Sequence, residues 1–232
     1  MSDATLHYIH DPFCGWCYGA APLVKAARAV MPVRAHGGGM MAGARRQRVS
    51  AQLRDYVLPH DRRIAQLTGQ CFGDAYADGL LRDTSAVFDS EPAIAAVLAA
   101  DEVAGCGLDL LARLQEAHYV EGLRIADEAV LVGQASALGI DSGAFTEALH
   151  RVLASEVQAH IASTRELMAR TGAQGFPTFL LETDTGFTRV DAASFLGQPQ
   201  RFAEWLRARV PATQSVPAAA EAFGCGPDAC AI

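Results

Sequence analysis

Two cysteines three residues apart, Cys14 and Cys17, sit between an extended run and a helical one, and this placement constrains the fold more than any other feature of the chain. Residues 5–13 (TLHYIHDPF) alternate loosely and are rich in β-branched and aromatic side chains, which predicts a strand. Residues 18–31 carry Ala and Leu at helical spacing and stop at Pro32, which predicts a helix. Residues 33–36 form a second short strand that runs into a turn at Gly37, Gly38 and Gly39. The opening is therefore a βαβ unit with a C-x2-C pair at its first strand-to-helix junction.

That junction gives the pair its chemistry. A cysteine at the first turn of a helix meets unpaired backbone N–H groups and the positive end of the helix dipole, and both favour thiolate over thiol. Cys14 is thus the expected nucleophile. Cys17 lies one turn further on the same face, placed to attack a mixed disulfide formed at Cys14 and release it. Two other readings of the pair are half of a zinc site, which would need two more ligands such as Cys225 and Cys230, and an inert buried pair. Cys71 and Cys106 stand alone and read as small buried hydrophobes.

Composition narrows the classes. The chain has 232 residues, 50% of them hydrophobic, with mean hydropathy +0.12, enough apolar material for a sizeable core. Its formal charge of −7 argues against a global electrostatic grip on nucleic acid or on an anionic membrane. The cluster Arg45, Arg46 and Arg48 reads as a solvated helix face. No stretch is long and apolar enough to predict a membrane span, and the N-terminal residues lack the pattern of a secretory signal, so a cytoplasmic location is expected.

From about residue 45 to Thr171 the pattern is helical throughout. Ser90-Glu91-Pro92 signals a helix start, and Gly105 and Gly107 break that helix. Further helices are expected over 108–119, over 128–138 behind an Asp127 cap, and from Asp141 or Ser142 through one long helix to Thr171, with Gly172 just past its end. Then the period changes. Residues 177–182 and 187–190 read as a hairpin around 183–186, and 199–209 as a last amphipathic helix. The order is βαβ, a helical block, then ββα. Residues 211–232 are Ala- and Pro-rich and end in a C-x4-C, Cys225 to Cys230, whose Gly226 and Pro227 favour a turn; this reads as a second, exchangeable redox pair. His10, four residues before Cys14, reads as a strand-end histidine facing solvent or as a positive charge that stabilises the thiolate, Asp11 as outward-facing or capping, and His118, His150 and His160 as surface or satisfied core histidines.

The stretch Asp11-Pro12-Phe13-Cys14-Gly15-Trp16-Cys17-Tyr18, the distant Phe176-Pro177-Thr178-Phe179, and the long helical segment between them resemble the DsbA-like thiol–disulfide oxidoreductases, in their FrnE-type cytoplasmic branch. The resemblance covers about residues 1–210, and the C-terminal C-x4-C is also similar to a feature of some FrnE-type members. It implies an α/β thioredoxin-like fold with a large inserted all-helical domain: residues 1–44 and 172–210 as the thioredoxin-like part, 45–171 as the insert, and 211–232 as a tail. It implies a cis Pro177 beside Cys14, with Phe176 offering backbone to an extended substrate and Phe13, Trp16 and Phe176 forming an apolar rim. The implied activity is disulfide exchange or isomerisation on protein or peptide thiols and disulfides. No cofactor is implied beyond the cysteine pair, and glutathione or a thioredoxin-type reductant would be the partner. The Gly15-Trp16 dipeptide departs from the Pro-His of strong oxidants and the Gly-Pro of reductants, so it sets no direction of electron flow. The alternatives are a kappa-type glutathione transferase or 2-hydroxychromene-2-carboxylate isomerase, a group with a serine where Cys14 stands, and a non-catalytic peptide-binding holdase.

Overall fold

The structure, a computed structural model, describes residues 4–209. Cys225 and Cys230, and with them the expected second redox pair, lie outside the described residues.

A four-stranded mixed sheet in the order β2-β1-β5-β6 carries the fold. β1 (Thr5–His10) is parallel to β2 (Val33–Gly37) and antiparallel to β5 (Thr178–Thr183), which forms a hairpin with β6 (Gly186–Val190). The register sets Tyr8 opposite Phe179 and Ile9 opposite Thr178. The start of β5 therefore lies beside the end of β1, where the cysteines begin.

β1 stops at His10 rather than at residue 13, because Asp11 folds the chain back on itself. Its carboxylate accepts from Phe13 N at 3.0 Å, and its carbonyl accepts from Cys14 N at 3.1 Å. α1 (Gly15–Arg28) consequently begins earlier than residue 18, with Cys14 as its N-cap. Pro22 lies inside this helix and cannot donate to the Tyr18 carbonyl one turn back. The Gln70 side-chain amide donates to that carbonyl instead, at 2.9 Å.

Between β2 and β5 the chain is mostly helical but not throughout. β3 (Gln47–Arg48) and β4 (Val87–Phe88) pair as a two-stranded ribbon that the helical reading missed. The Arg45, Arg46 and Arg48 cluster accordingly closes a single 3-10 turn (Gly43–Arg45) and runs into β3, exposed but on no α-helix. α2 (Ala51–Thr68) is capped by Ser50 and closed by Gly69 at φ 75°. A π turn at Ala75–Gly79 follows. α3 (Ser90–Ala104) takes its cap from Asp89, not Ser90, whose hydroxyl is instead buried on Asp11. α4 (Gly107–Tyr119) and α5 (Glu128–Ala137) fall close to expectation. The expected long helix is two, α6 (Ser142–Ser155) and α7 (Val157–Thr171), parted at Glu156. α8 (Pro199–Arg207) packs on α1.

Candidate active site

The site is assembled at the N-terminus of α1. Cys14 caps the helix through its own sulphur: Sγ accepts from Cys17 N at 3.4 Å. The same thiol donates to the Phe176 carbonyl at 3.5 Å, so the strand-to-helix junction and the entry to β5 meet at one sulphur. The Phe176–Pro177 bond is cis. Pro177 has no N–H to contribute, and β5 begins one residue later than the sequence pattern suggested, at Thr178.

The two cysteines are free and both buried, Cys14 at 6% exposure and Cys17 at 0%, and they differ in what they face. Cys14 lines a cleft of about 770 Å³, together with Phe13, Trp16, Met40, Leu53, Tyr56 and Asp61 among others. Cys17 is fully buried beneath it, and burial, followed by the neighbouring Cys14 sulphur, pushes its thiol well above the ordinary value. The Tyr8 hydroxyl donates to the Cys17 carbonyl at 3.2 Å and fixes the turn from below. A second cleft of about 640 Å³, around His10, His36 and His160, is lined by neither cysteine.

Asp11 is buried and is a turn-capping group. It accepts from Phe13 N, Met40 N and Ser90 Oγ, and burial raises it to about 6 against those bonds. His10 corrects the sequence reading: it is buried, stacked on Tyr8, and lowered to about 3 chiefly by burial. Phe13 is 6% exposed and packs on Phe88 and His118, so it is floor rather than rim. Trp16 and Phe176 are half-buried. Phe176 lies over Gly38, whose missing Cβ would fall 2.1 Å from the ring. Cys71 is exposed and Cys106 half-buried, against the buried reading of both. His118 is buried among Phe13, Phe88, Tyr76 and Tyr119, and among the described residues neither of its ring nitrogens has a partner. Asp61 was missed by the sequence reading, although Leu53, Val57, Asp61 and Ile64 fall on one stripe of α2.

Among the described residues no group of three or more His, Cys, Asp or Glu is arranged to hold a metal, and no helix is long and apolar enough to cross a membrane. The profile of a DSBA-like thioredoxin domain matches residues 5–197. No curated protein sequence matches the chain. Among solved structures, the chain is similar to the cytosolic disulfide reductase DsbM from Pseudomonas aeruginosa, at 54% identity and TM-score 0.84, over 88% of this chain and 98% of that one. It is similar to the same enzyme with GSH at 52% identity and TM-score 0.82, over the same shares.

Proposed function

The chain belongs to the DSBA-like thioredoxin domain family and is a thiol–disulfide oxidoreductase, and from that premise we propose that it is a cytoplasmic disulfide reductase working with glutathione, with Cys14 as the attacking sulphur and Cys17 as the resolving one. The observation that carries this reading is the split in access: Cys14 lines the cleft and Cys17 is sealed under it. A substrate disulfide entering the cleft meets Cys14 alone. The Cys14 thiolate attacks one sulphur, the other leaves as a thiol, and the substrate remains on Cys14 as a mixed disulfide. Cys17 then attacks Cys14 Sγ, releases the second thiol, and leaves a Cys14–Cys17 disulfide that glutathione reduces. The redox work is carried by the cysteine pair itself.

The 52% identical DsbM structure with GSH supports glutathione as the thiol, and a cleft of about 770 Å³ is roomy for a tripeptide. The half-buried Trp16 and Phe176 supply apolar contacts, and the backbone at Phe176, just before β5 and held beside Cys14, is the segment an extended substrate would pair with. The test is turnover of a small mixed disulfide of glutathione, coupled to glutathione reductase. Wild type turns over, Cys14→Ser does not, and Cys17→Ser is slowed. Turnover that survives in Cys14→Ser refutes the reading.

A further inference from the structure

The apolar stripe of α2 is interrupted by a carboxylate at the cleft. Asp61 is 5% exposed. A Cβ built on Gly15 would lie 2.9 Å from Asp61 Oδ1, so the carboxyl group rests on the backbone of the residue that follows Cys14. Oδ2 accepts from the Tyr76 hydroxyl at 3.1 Å. Oδ1 makes no hydrogen bond among the described residues, and Asp61 lines the same cleft as Cys14. An acid buried on an otherwise apolar stripe is costly to keep.

We propose that Asp61 is a further catalytic residue, the carrier of the substrate proton in the exchange at Cys14. The proposal rests on Cys14 being the attacking sulphur. In the capture direction the Cys14 thiolate attacks R–S–S–R′. The bond from Cys14 Sγ to the R sulphur forms, the S–S bond breaks, R′S leaves with the electron pair, and the Asp61 carboxyl group gives it a proton. In the release direction R′SH attacks the R sulphur of the mixed disulfide. The new S–S bond forms, Cys14 leaves as thiolate, and the proton of R′SH passes to Asp61.

The surroundings suit this role. The groups that face Asp61 are Tyr76 from the π turn, Tyr119 from α4, and His60 and Arg62 beside it on α2. Burial pushes both phenols upward, so neither carries charge near neutrality. The Tyr119 hydroxyl lies 4.0 Å from the same Gly15 Cβ position. Among the described residues no arginine or lysine forms an ion pair with Asp61. Burial raises its carboxyl group to about 6, against the pull of the Tyr76 hydrogen bond. Both protonation states are then populated near neutral pH, as a group that both accepts and returns a proton requires.

The experiment loads glutathione onto Cys14 of Cys17→Ser and follows its release by 2-mercaptoethanol as pH is raised from about 5 to about 8, below the ordinary thiol range. With Asp61 as acceptor, the rate rises through about 6 and then levels, because the neutral thiol reacts and ionised Asp61 takes its proton. In Asp61→Asn, which keeps the volume and an acceptor for Tyr76, only free thiolate attacks, and the rate climbs about tenfold per pH unit across the range. A Cys17→Ser profile with Asp61 intact that climbs in the same way, without a break near 6, overturns the proposal whatever the Asn variant does. Glutathione that cannot be loaded onto Cys14 overturns the role of Cys14 instead, and this proposal with it.

Discussion

The carbonyl of Phe176 lies 3.5 Å from the thiol of Cys14, across a sequence separation of 162 residues. This contact joins two distant segments of the fold at the sulphur proposed to attack. One partner caps a helix and the other enters a strand, and β1 holds both because it pairs with β2 on one side and β5 on the other.

The position of Phe176 depends on Gly38. A Cβ there would fall 2.1 and 2.3 Å from the ring atoms Cε1 and Cζ. Gly38→Ala therefore displaces the ring, and with it the carbonyl on Cys14. Overpacking of this kind costs about 1–3 kcal/mol. Thiol–disulfide oxidoreductase activity is expected to fall roughly tenfold or more, or ~1.4 kcal/mol in the barrier. Thermal unfolding of Gly38→Ala in wild-type and Phe176→Ala backgrounds checks the cause. The stability loss should largely vanish in the second background, and an equal loss in both would assign it elsewhere.

Gln70 replaces a hydrogen bond that Pro22 removes from α1. Gln70→Ala leaves the Tyr18 carbonyl without its donor and is expected to destabilise the protein by about 1–3 kcal/mol. Pro22→Ala restores the backbone N–H. In that background Gln70→Ala should cost markedly less, a coupling that a denaturant double-mutant cycle measures directly. Additive effects would show that the two residues do not share this carbonyl.

His118 supplies a pH dependence whose sign follows from its burial. Burial lowers the group to about 3 in the folded protein, whereas an unfolded chain protonates it near its ordinary value of 6.5. The unfolded state therefore binds the extra proton between about 6.5 and about 3. Its contribution to stability is intact above that window and is lost as pH falls, by about 1.4 kcal/mol per pH unit. His118→Phe removes two unpartnered nitrogens from an aromatic surround. Unfolding titrations should show it at least as stable as wild type at neutral pH, with a shallower acid limb. An unchanged limb would show that His118 gains its proton while still folded.

Much of this was legible in the sequence because it is written locally. The C-x2-C between a strand and a helix, the glycine at the end of α7 and the period change into the hairpin all depend on near neighbours. What escaped depends on contacts between distant segments. β3 and β4 have only two residues each and pair across the length of α2, so neither has a period to detect. Ser90 resembles a helix cap, but the fold uses its hydroxyl on Asp11 and gives the cap to Asp89. His10 looked like an exposed strand end, because nothing local shows that the sheet is covered there. Asp61 left a trace, a carboxylate at an apolar position of an amphipathic helix, but only the tertiary fold brings that position to Gly15.

Trapping with glutathione disulfide separates the roles of the two cysteines. Each single variant, Cys17→Ser and Cys14→Ser, is incubated with glutathione disulfide under native conditions and mapped by peptide mass, which separates the pair from the exposed Cys71. Rapid glutathionylation is expected at Cys14 in Cys17→Ser and none at Cys17 in Cys14→Ser, because Cys17 is fully buried and its thiol is raised. Labelling of Cys17 in Cys14→Ser as fast as that of Cys14 in Cys17→Ser would contradict it.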